Sequence, residues 1–165
     1  MRPPALSLDQ LASLPAVYRA VIPPAYEDRQ GHMNVRWYLA LYDEAGDAMY
    51  PMLGLTADYF ASSGAGGFDL EHHLWYPSEV RIGDSVVIRV RMLAPSSKLF
   101  HYMMFMVNET RGRALLAFRV RARSCRPQNQ THRPPPGPGG GPDRRPHRRT
   151  LCAHLARAGL GVHGS

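Results

Sequence analysis

Seven residues between Val35 and Leu53 limit what this chain can fold into. Val35, Tyr38, Leu39, Tyr42, Gly46, Met49 and Leu53 recur at intervals of three and four, so they line one face of an α-helix. Arg36, Asp43, Glu44 and Asp47 fall largely on the other face. Asn34 stands where an N-cap belongs, since its side-chain oxygen can accept a bond from a free amide one turn in. Pro51 lacks an amide donor, so the helix is expected to end or kink near Tyr50, with Gly54 as its stop. A helix with one apolar stripe needs a second layer to bury it.

Strand-like segments supply that layer. Ala16 to Ile22 reads as a first strand, stopped by Pro23-Pro24. Ahead of it, Ser7 to Leu14 has Ser7 and Gln10 at capping-box spacing and predicts a short docking turn ended by Pro15. After the long helix come Gly67 to Tyr76, Asp84 to Leu93, Lys98 to Asn108 and Arg113 to Arg123. Val86, Ile88, Val90 and Met92 alternate with Arg89 and Arg91, and Leu116, Phe118, Val120 and Ala122 with Arg119, Arg121 and Arg123. The Lys98–Asn108 segment is apolar on both faces, which suits a central strand. Asn108 to Gly112 is short and polar, so the last two strands should form a hairpin. The order predicts an α+β fold: one long helix across an antiparallel sheet of about five strands. The sheet's arginine-bearing face then needs solvent, a partner subunit or an anionic ligand.

Charge divides the chain. The net charge is +7, but residues 1–125 carry only +1 and residues 126–165 carry +6. The basic segment has no Phe, Tyr or Trp and contains Pro134-Pro135-Pro136, Gly139-Gly140-Gly141 and Arg144-Arg145. Such a composition buries too little apolar surface to offset chain entropy, so 126–165 is expected to be a disordered tail. The expected division is an N-terminal segment 1–15, a folded domain 16–125 and this tail. All eight methionines precede the tail. Its proline, arginine, glycine, alanine and histidine content is what out-of-frame reading of GC-rich DNA yields, and the hypothesis for its origin is such a reading or a wrongly called gene end.

Cys125 and Cys152 show neither CxxC nor metal-type spacing, so no disulfide framework is expected and a reducing, cytoplasmic setting is the default. No apolar run reaches the roughly 20 residues of a membrane span, and no secretory leader is expected. His72 and His73 are adjacent and point to opposite faces of a strand, so they cannot jointly chelate; no metal site is expected. Arginines without stacking aromatics make the tail a poor nucleic-acid reader, and no nucleic-acid or membrane partner is expected.

Asp28-Arg29-Gln30-Gly31-His32-Met33-Asn34 places a carboxylate, a turn glycine and a histidine just ahead of the helix. Free amides at a helix start favour developing negative charge. Asp28 has two readings on these residues alone: a turn stabiliser bonding its own backbone, or an acid held beside a polarised carbonyl.

The Asp28-x-x-Gly31-His32-Met33-Asn34 motif, the apolar helix, Tyr76-Pro77 and Gly83-Asp84 resemble the hot-dog acyl-CoA thioesterases of the 4-hydroxybenzoyl-CoA thioesterase-like branch. Gly31-His32-Met33-Asn34-Val35, Tyr38, Asp47-Ala48, Leu53-Gly54-Leu55, Glu71-His72-His73, Glu79 and Lys98-Leu99-Phe100-His101 resemble the betainyl-CoA thioesterase group associated with carnitine breakdown. The resemblance runs from about Val17 to Arg123. It departs at Tyr26, where many relatives carry the first acid of Asp-x-Asp. It departs again at Ser124-Cys125, where closer relatives carry a His-Val-Asp-like strand end.

The resemblance implies hydrolysis of a small acyl-CoA, betainyl-CoA among the candidates, to acid and coenzyme A. Asp28 would be nucleophile or general base and the Val35 amide the oxyanion donor. Glu71 would be a second carboxylate, reaching the site from a partner subunit. His32, Asn34, Trp37, Tyr38 and His101 would contact substrate or shape its pocket. On the residues themselves His32 reads as structural, Asn34 as a cap, His101 as a core histidine and Glu71 as a solvated acid. Trp37, Tyr38, Tyr42, Trp75 and Tyr76 could cage a quaternary ammonium, or simply pack in core and dimer contacts. Arg89, Arg91, Arg119, Arg121 and Arg123 could meet coenzyme A phosphates, or form a solvated face. No cofactor is implied, coenzyme A being part of the substrate. The implied assembly is a homodimer or dimer of dimers, and the alternative function is a non-catalytic acyl-CoA-binding module.

Overall fold

The computed structural model describes residues 6–63, 66–95 and 99–125, so the expected tail lies outside the described residues. One antiparallel sheet holds β1 (Ala16–Val21), β2 (Gly66–Trp75), β3 (Ser85–Pro95), β4 (Leu99–Asn108) and β5 (Arg113–Cys125). Their spatial order is β1-β3-β4-β5-β2. The expected hairpin between the last two strands is present, and the strand apolar on both faces, β4, is central. Among the described residues three α-helices accompany the sheet: α1 (Leu8–Ala12), α2 (Val35–Met52) and α3 (Ala57–Ser63). The short α3 was not expected; Thr56 starts it by accepting the Tyr59 amide on its hydroxyl. Among the described residues no helix is long and apolar enough to cross a membrane.

The long helix α2 packs on the face formed by Val86, Ile88 and Val90 of β3, Tyr102, Met104 and Met106 of β4, and Phe118 and Val120 of β5. Its buried arc is rotated from the expected stripe. Tyr38, Tyr42 and Met49 are buried as expected, but Leu41 and Ala45 join them, while Val35 and Leu39 are 63% and 43% exposed. Leu39 and Gly46 instead face a gap between α2 and β2. Pro51 does not end the helix at Tyr50. It sits in the last turn, where its absent amide costs a single bond, and the helix runs one residue further. Gly54, at φ +73°, then closes it: its amide donates to Pro51 O (3.0 Å) and the Leu55 amide to Tyr50 O (2.9 Å).

The reverse face is partly covered by the chain itself. Ser7 and Gln10 form the expected capping box, and α1 lays Leu11 on Met103, Phe105 and Ala117. Arg89 donates from Nη1 to the carbonyls of Ala12 (3.0 Å) and Leu14 (2.6 Å), so this arginine anchors α1. At the far edge, β2 bulges between Asp69 and Glu71. The extra residue puts Asp69 and His72 on the α2 side, and Glu71, His73 and Trp75 on the reverse side.

The β2–β3 connection is pinned by Asp84, a carboxylate 3% exposed. It accepts from the Asn108 amide (2.7 Å), the Arg111 Nε (3.0 Å) and the Arg81 backbone amide (2.9 Å). Burial alone would raise its pKa, but these three donors outweigh it and hold the carboxyl below the ordinary aspartate value. The lowered folded pKa means a stabilisation present above the unfolded value, about 3.9, and lost as pH falls through the folded one. The urea midpoint of the native chain should therefore fall between pH 5 and pH 2.5 more steeply than that of Asp84→Asn. At pH 7 the variant should be less stable by about 1–3 kcal/mol.

Candidate active site

Between β1 and α2 the chain folds into a tight loop. A 3₁₀ turn at Pro24–Tyr26 is followed by a bridge between Glu27 and Met33. Asp28 closes the loop on itself: its amide donates to His32 O (2.8 Å), and its carbonyl accepts from Gly31 (3.2 Å). Gly31 sits at φ +79°, a conformation that favours glycine. The Asp28 side chain is half-buried and accepts the amides of Gln30 (2.8 Å) and His32 (3.2 Å) on Oδ1. Oδ2 has no partner among the described residues. The turn-stabilising reading of Asp28 thus accounts for one carboxylate oxygen and leaves the other open.

Directly after this loop α2 begins. Asn34 caps it, its Oδ1 accepting from the Arg36 amide (3.1 Å), while its own amide donates to Tyr26 O (2.8 Å). The Val35 amide has no hydrogen-bond partner among the described residues. An unpaired amide at the positive end of an 18-residue helix suits a developing oxyanion.

The loop 76–84 braces this junction. Val80, fully buried, accepts the Met33 amide on its carbonyl (2.8 Å) and donates its own amide to the Tyr38 hydroxyl (3.1 Å). Burial raises the Tyr38 pKa, opposed by that Val80 bond. The ring of Tyr76 meets Tyr38 edge-on at 5.2 Å. His32 turns its Nε2 to Glu79 Oε2 at 2.8 Å.

The structure therefore brings Asp28, His32, Asn34, Val35 and Tyr38 together. Trp37 is close by but closed off. Tyr26 stacks on it at 3.9 Å and 7°, and the Arg36 guanidinium lies 4.8 Å over its ring. Two parallel rings at that spacing fill one face, so the guanidinium takes the other. Glu71 and His101 are elsewhere: with His73 and Arg121 they line a depression of about 120 Å³ on the sheet face away from α2. Within one chain neither meets the helix start. The five aromatics do not form a cage either, since Trp75 lies against His73 on the reverse face and Tyr42 stacks on Phe118 in the core. Val80 is a site residue that sequence reasoning missed; its contribution runs through backbone groups, which leave no mark in side-chain patterns. Tyr26 stood out only as a departure from the family motif, and its ring stacking on Trp37 was not foreseen.

A separate pocket lies between α2 and β2. Asp43 and Asp47 from the helix and Asp69 from the strand line it with Tyr42, Tyr50, Tyr102, His72 and Phe118. Among the described residues no group of His, Cys, Asp and Glu is placed to hold a metal ion.

A single sheet wrapped on one long helix, with a carboxylate turn at the helix start, defines a class: the hot-dog fold. Residues 22–142 match the family model described as the thioesterase-like superfamily, and the chain belongs to that family. It is 32% identical over 84 residues to a betainyl-CoA thioesterase of Pseudomonas aeruginosa, an alignment covering 51% of this chain and 53% of that protein. It is 29% identical over 93 residues to an L-carnitine dehydrogenase/betainyl-CoA thioesterase of Agrobacterium fabrum, covering 56% and 19%. The chain thus spans about half the length of the first relative and far less of the second. Its fold matches a Staphylococcus aureus protein in complex with CoA at TM-score 0.70 and 16% identity, covering 94% and 87%. It also matches a 1,4-dihydroxy-2-naphthoyl-CoA thioesterase from Synechocystis at 0.60 and 14%, covering 72% and 88%.

Tyr38→Phe tests the bracing. It leaves the buried Val80 amide without its acceptor, at a cost of about 1–3 kcal/mol. Thermal melts should show the loss, and hydrogen exchange should quicken at Val80 and Met33 ahead of the sheet.

Proposed function

We propose that this protein hydrolyses the thioester bond of a small acyl-CoA. The observation that carries the reading is Asp28: one oxygen tethered by two backbone amides, the other open, beside the unpaired Val35 amide at the start of α2. The tether fixes where the open oxygen points, which is what a positioned nucleophile or base requires. Two routes fit. Oδ2 attacks the carbonyl carbon, expels the coenzyme A thiolate and leaves a mixed anhydride that water cleaves; or Oδ2 takes a proton from the attacking water. In both, negative charge gathers on the acyl oxygen, where the Val35 amide stabilises it.

Similarity to betainyl-CoA thioesterases supports a betainyl-like acyl group. The pocket between α2 and β2, with three carboxylates among aromatic rings, suits a quaternary ammonium. Asp43 follows Val35 by eight residues, about 12 Å along the helix axis. The betainyl nitrogen is only two bonds from the carbonyl carbon. When the carbonyl carbon is attacked beside one chain's Val35, the head group falls short of Asp43 in that chain, so such acids would serve it only from a neighbouring chain.

This reading includes a homodimer. Among the described residues the outer edge of β2 is unpaired in the sheet, and it carries Phe68 and Leu70 at 63% and 49% exposure, features that natural proteins cover or blunt. Glu71 of β2 could then approach a partner's pre-helical loop.

Thiol release from betainyl-, short-chain and aromatic acyl-CoA tests the activity. Asp28→Asn should lower turnover by about a hundredfold or more while retaining ligand binding. Turnover unchanged in that variant removes Asp28 from the chemistry, and thioester binding without release by the native protein favours the acyl-CoA-binding module. For the assembly, Leu70→Lys should raise the monomer share in light scattering and lower activity per chain in parallel. A dimer unaffected by that charge places the interface elsewhere.

A further inference from the structure

Glu79 joins two segments through its two carboxylate oxygens. Oε2 lies 2.8 Å from His32 Nε2, and Oε1 accepts from Arg81 at Nη2 (2.8 Å) and Nε (3.1 Å). Arg81 is in turn fixed through its backbone amide to the buried Asp84. The hydrogen bond from Arg81 holds the Glu79 carboxyl below the ordinary glutamate range, against the opposing effect of desolvation. On the other side, His32 is bonded to Asp28 at two backbone points: its amide reaches Oδ1 and its carbonyl accepts the Asp28 amide.

The rest of the turn is held locally. Glu27, Arg29, Gln30 and Gly31 are exposed, and the bonds closing the turn lie within residues 28–32. A loop closed by its own short bonds opens readily unless something outside it restrains it. Just past the turn Met33 is bonded to Val80, and the bond from the Asn34 amide to Tyr26 O closes the base of the loop; within residues 28–32, among the described residues, the His32 side chain is the contact that reaches outside the loop.

We infer that Glu79 is a positioning residue for Asp28, acting through His32 to keep the carboxylate turn closed at the start of α2. The geometric part stands alone; its catalytic consequence rests on the hydrolase reading above. The Glu79 side chain is exposed and that of His32 partly so, and ion pairs open to solvent contribute little to global stability. Removing the pair should therefore loosen the turn without unfolding the domain.

The test compares Glu79→Ala, Glu79→Gln, His32→Ala and the Glu79→Ala/His32→Ala double variant in the full chain. In Glu79→Ala the amide NMR resonances of Gln30 and His32, which donate to Asp28, should shift or broaden while those of β3 and β4 stay in place. kcat should fall about tenfold with KM little changed. Glu79→Gln keeps an acceptor for an imidazole N–H and should recover most of kcat. The double variant should be no worse than His32→Ala alone, the signature of one shared interaction. Unmoved Gln30 and His32 resonances in Glu79→Ala overturn the inference whatever the activity does. Moved resonances with native kcat, or additive losses in the double variant, overturn it as well. Failure of the hydrolase reading shows elsewhere, as thioester bound but not cleaved by the native chain, and failure of Asp28's role as native turnover in Asp28→Asn; the Gln30 and His32 resonances read the turn in either case, so the failures cannot be confused.

Discussion

The site depends on two backbone hydrogen bonds made by one residue. Val80 accepts from Met33 and donates to the Tyr38 hydroxyl, and so clamps the last residue before the N-cap to the first turn of α2. Both bonds are made where Val80 is fully buried, and a buried amide or carbonyl left unpaired is costly. The helix start and the loop ahead of it thus have one favourable relative position. Asp84 extends the constraint: it anchors the same connection to Asn108 and Arg111 at the end of the β4–β5 hairpin, so the sheet itself sets where the helix begins.

The β2 bulge performs a different division. One extra residue between Asp69 and Glu71 reverses the alternation, so two acids close in sequence serve opposite faces. Asp69 joins His72 and the helix acids near Tyr50 and Tyr102, while Glu71 joins His73, His101 and Arg121 on the reverse face. Neither group shares a face with the other, and within one chain Glu71 does not meet the Asp28 loop.

How much of this was legible depended on which physics carried it. Side-chain periodicity revealed α2, the five strands, the central position of β4 and the final hairpin, because burial on a 3.6- or 2-residue period marks the sequence directly. It misplaced the edge of the buried arc, since three- and four-residue spacings admit Leu39 or Leu41 equally and only packing against β3 and β4 decides. It also spread the aromatics into one cluster, because Trp75 at the end of β2 and Tyr76 just past it look alike in sequence yet point to different layers. Asp28, Asn34 and Val35 were visible as a motif. Val80 was not, because it acts through main-chain groups that every residue has. Glu79 was visible only by resemblance, and its partner His32 looked like a packing residue until the distance between them was known.

Structural and catalytic readings of Asp28 need not exclude each other. A carboxylate has two oxygens, and two amides converge on Oδ1 at 2.8 and 3.2 Å. Those bonds stabilise the loop, and by fixing the carboxylate plane they also fix Oδ2. A free aspartate on an exposed loop would lose rotamer entropy each time it approached a substrate carbonyl; here that loss is taken in folding. The same geometry explains why the loop is short and carries glycine at Gly31. A longer loop without the left-handed residue would let the His32 amide drift from Oδ1, and the carboxylate would turn freely beside a helix start that needs it still.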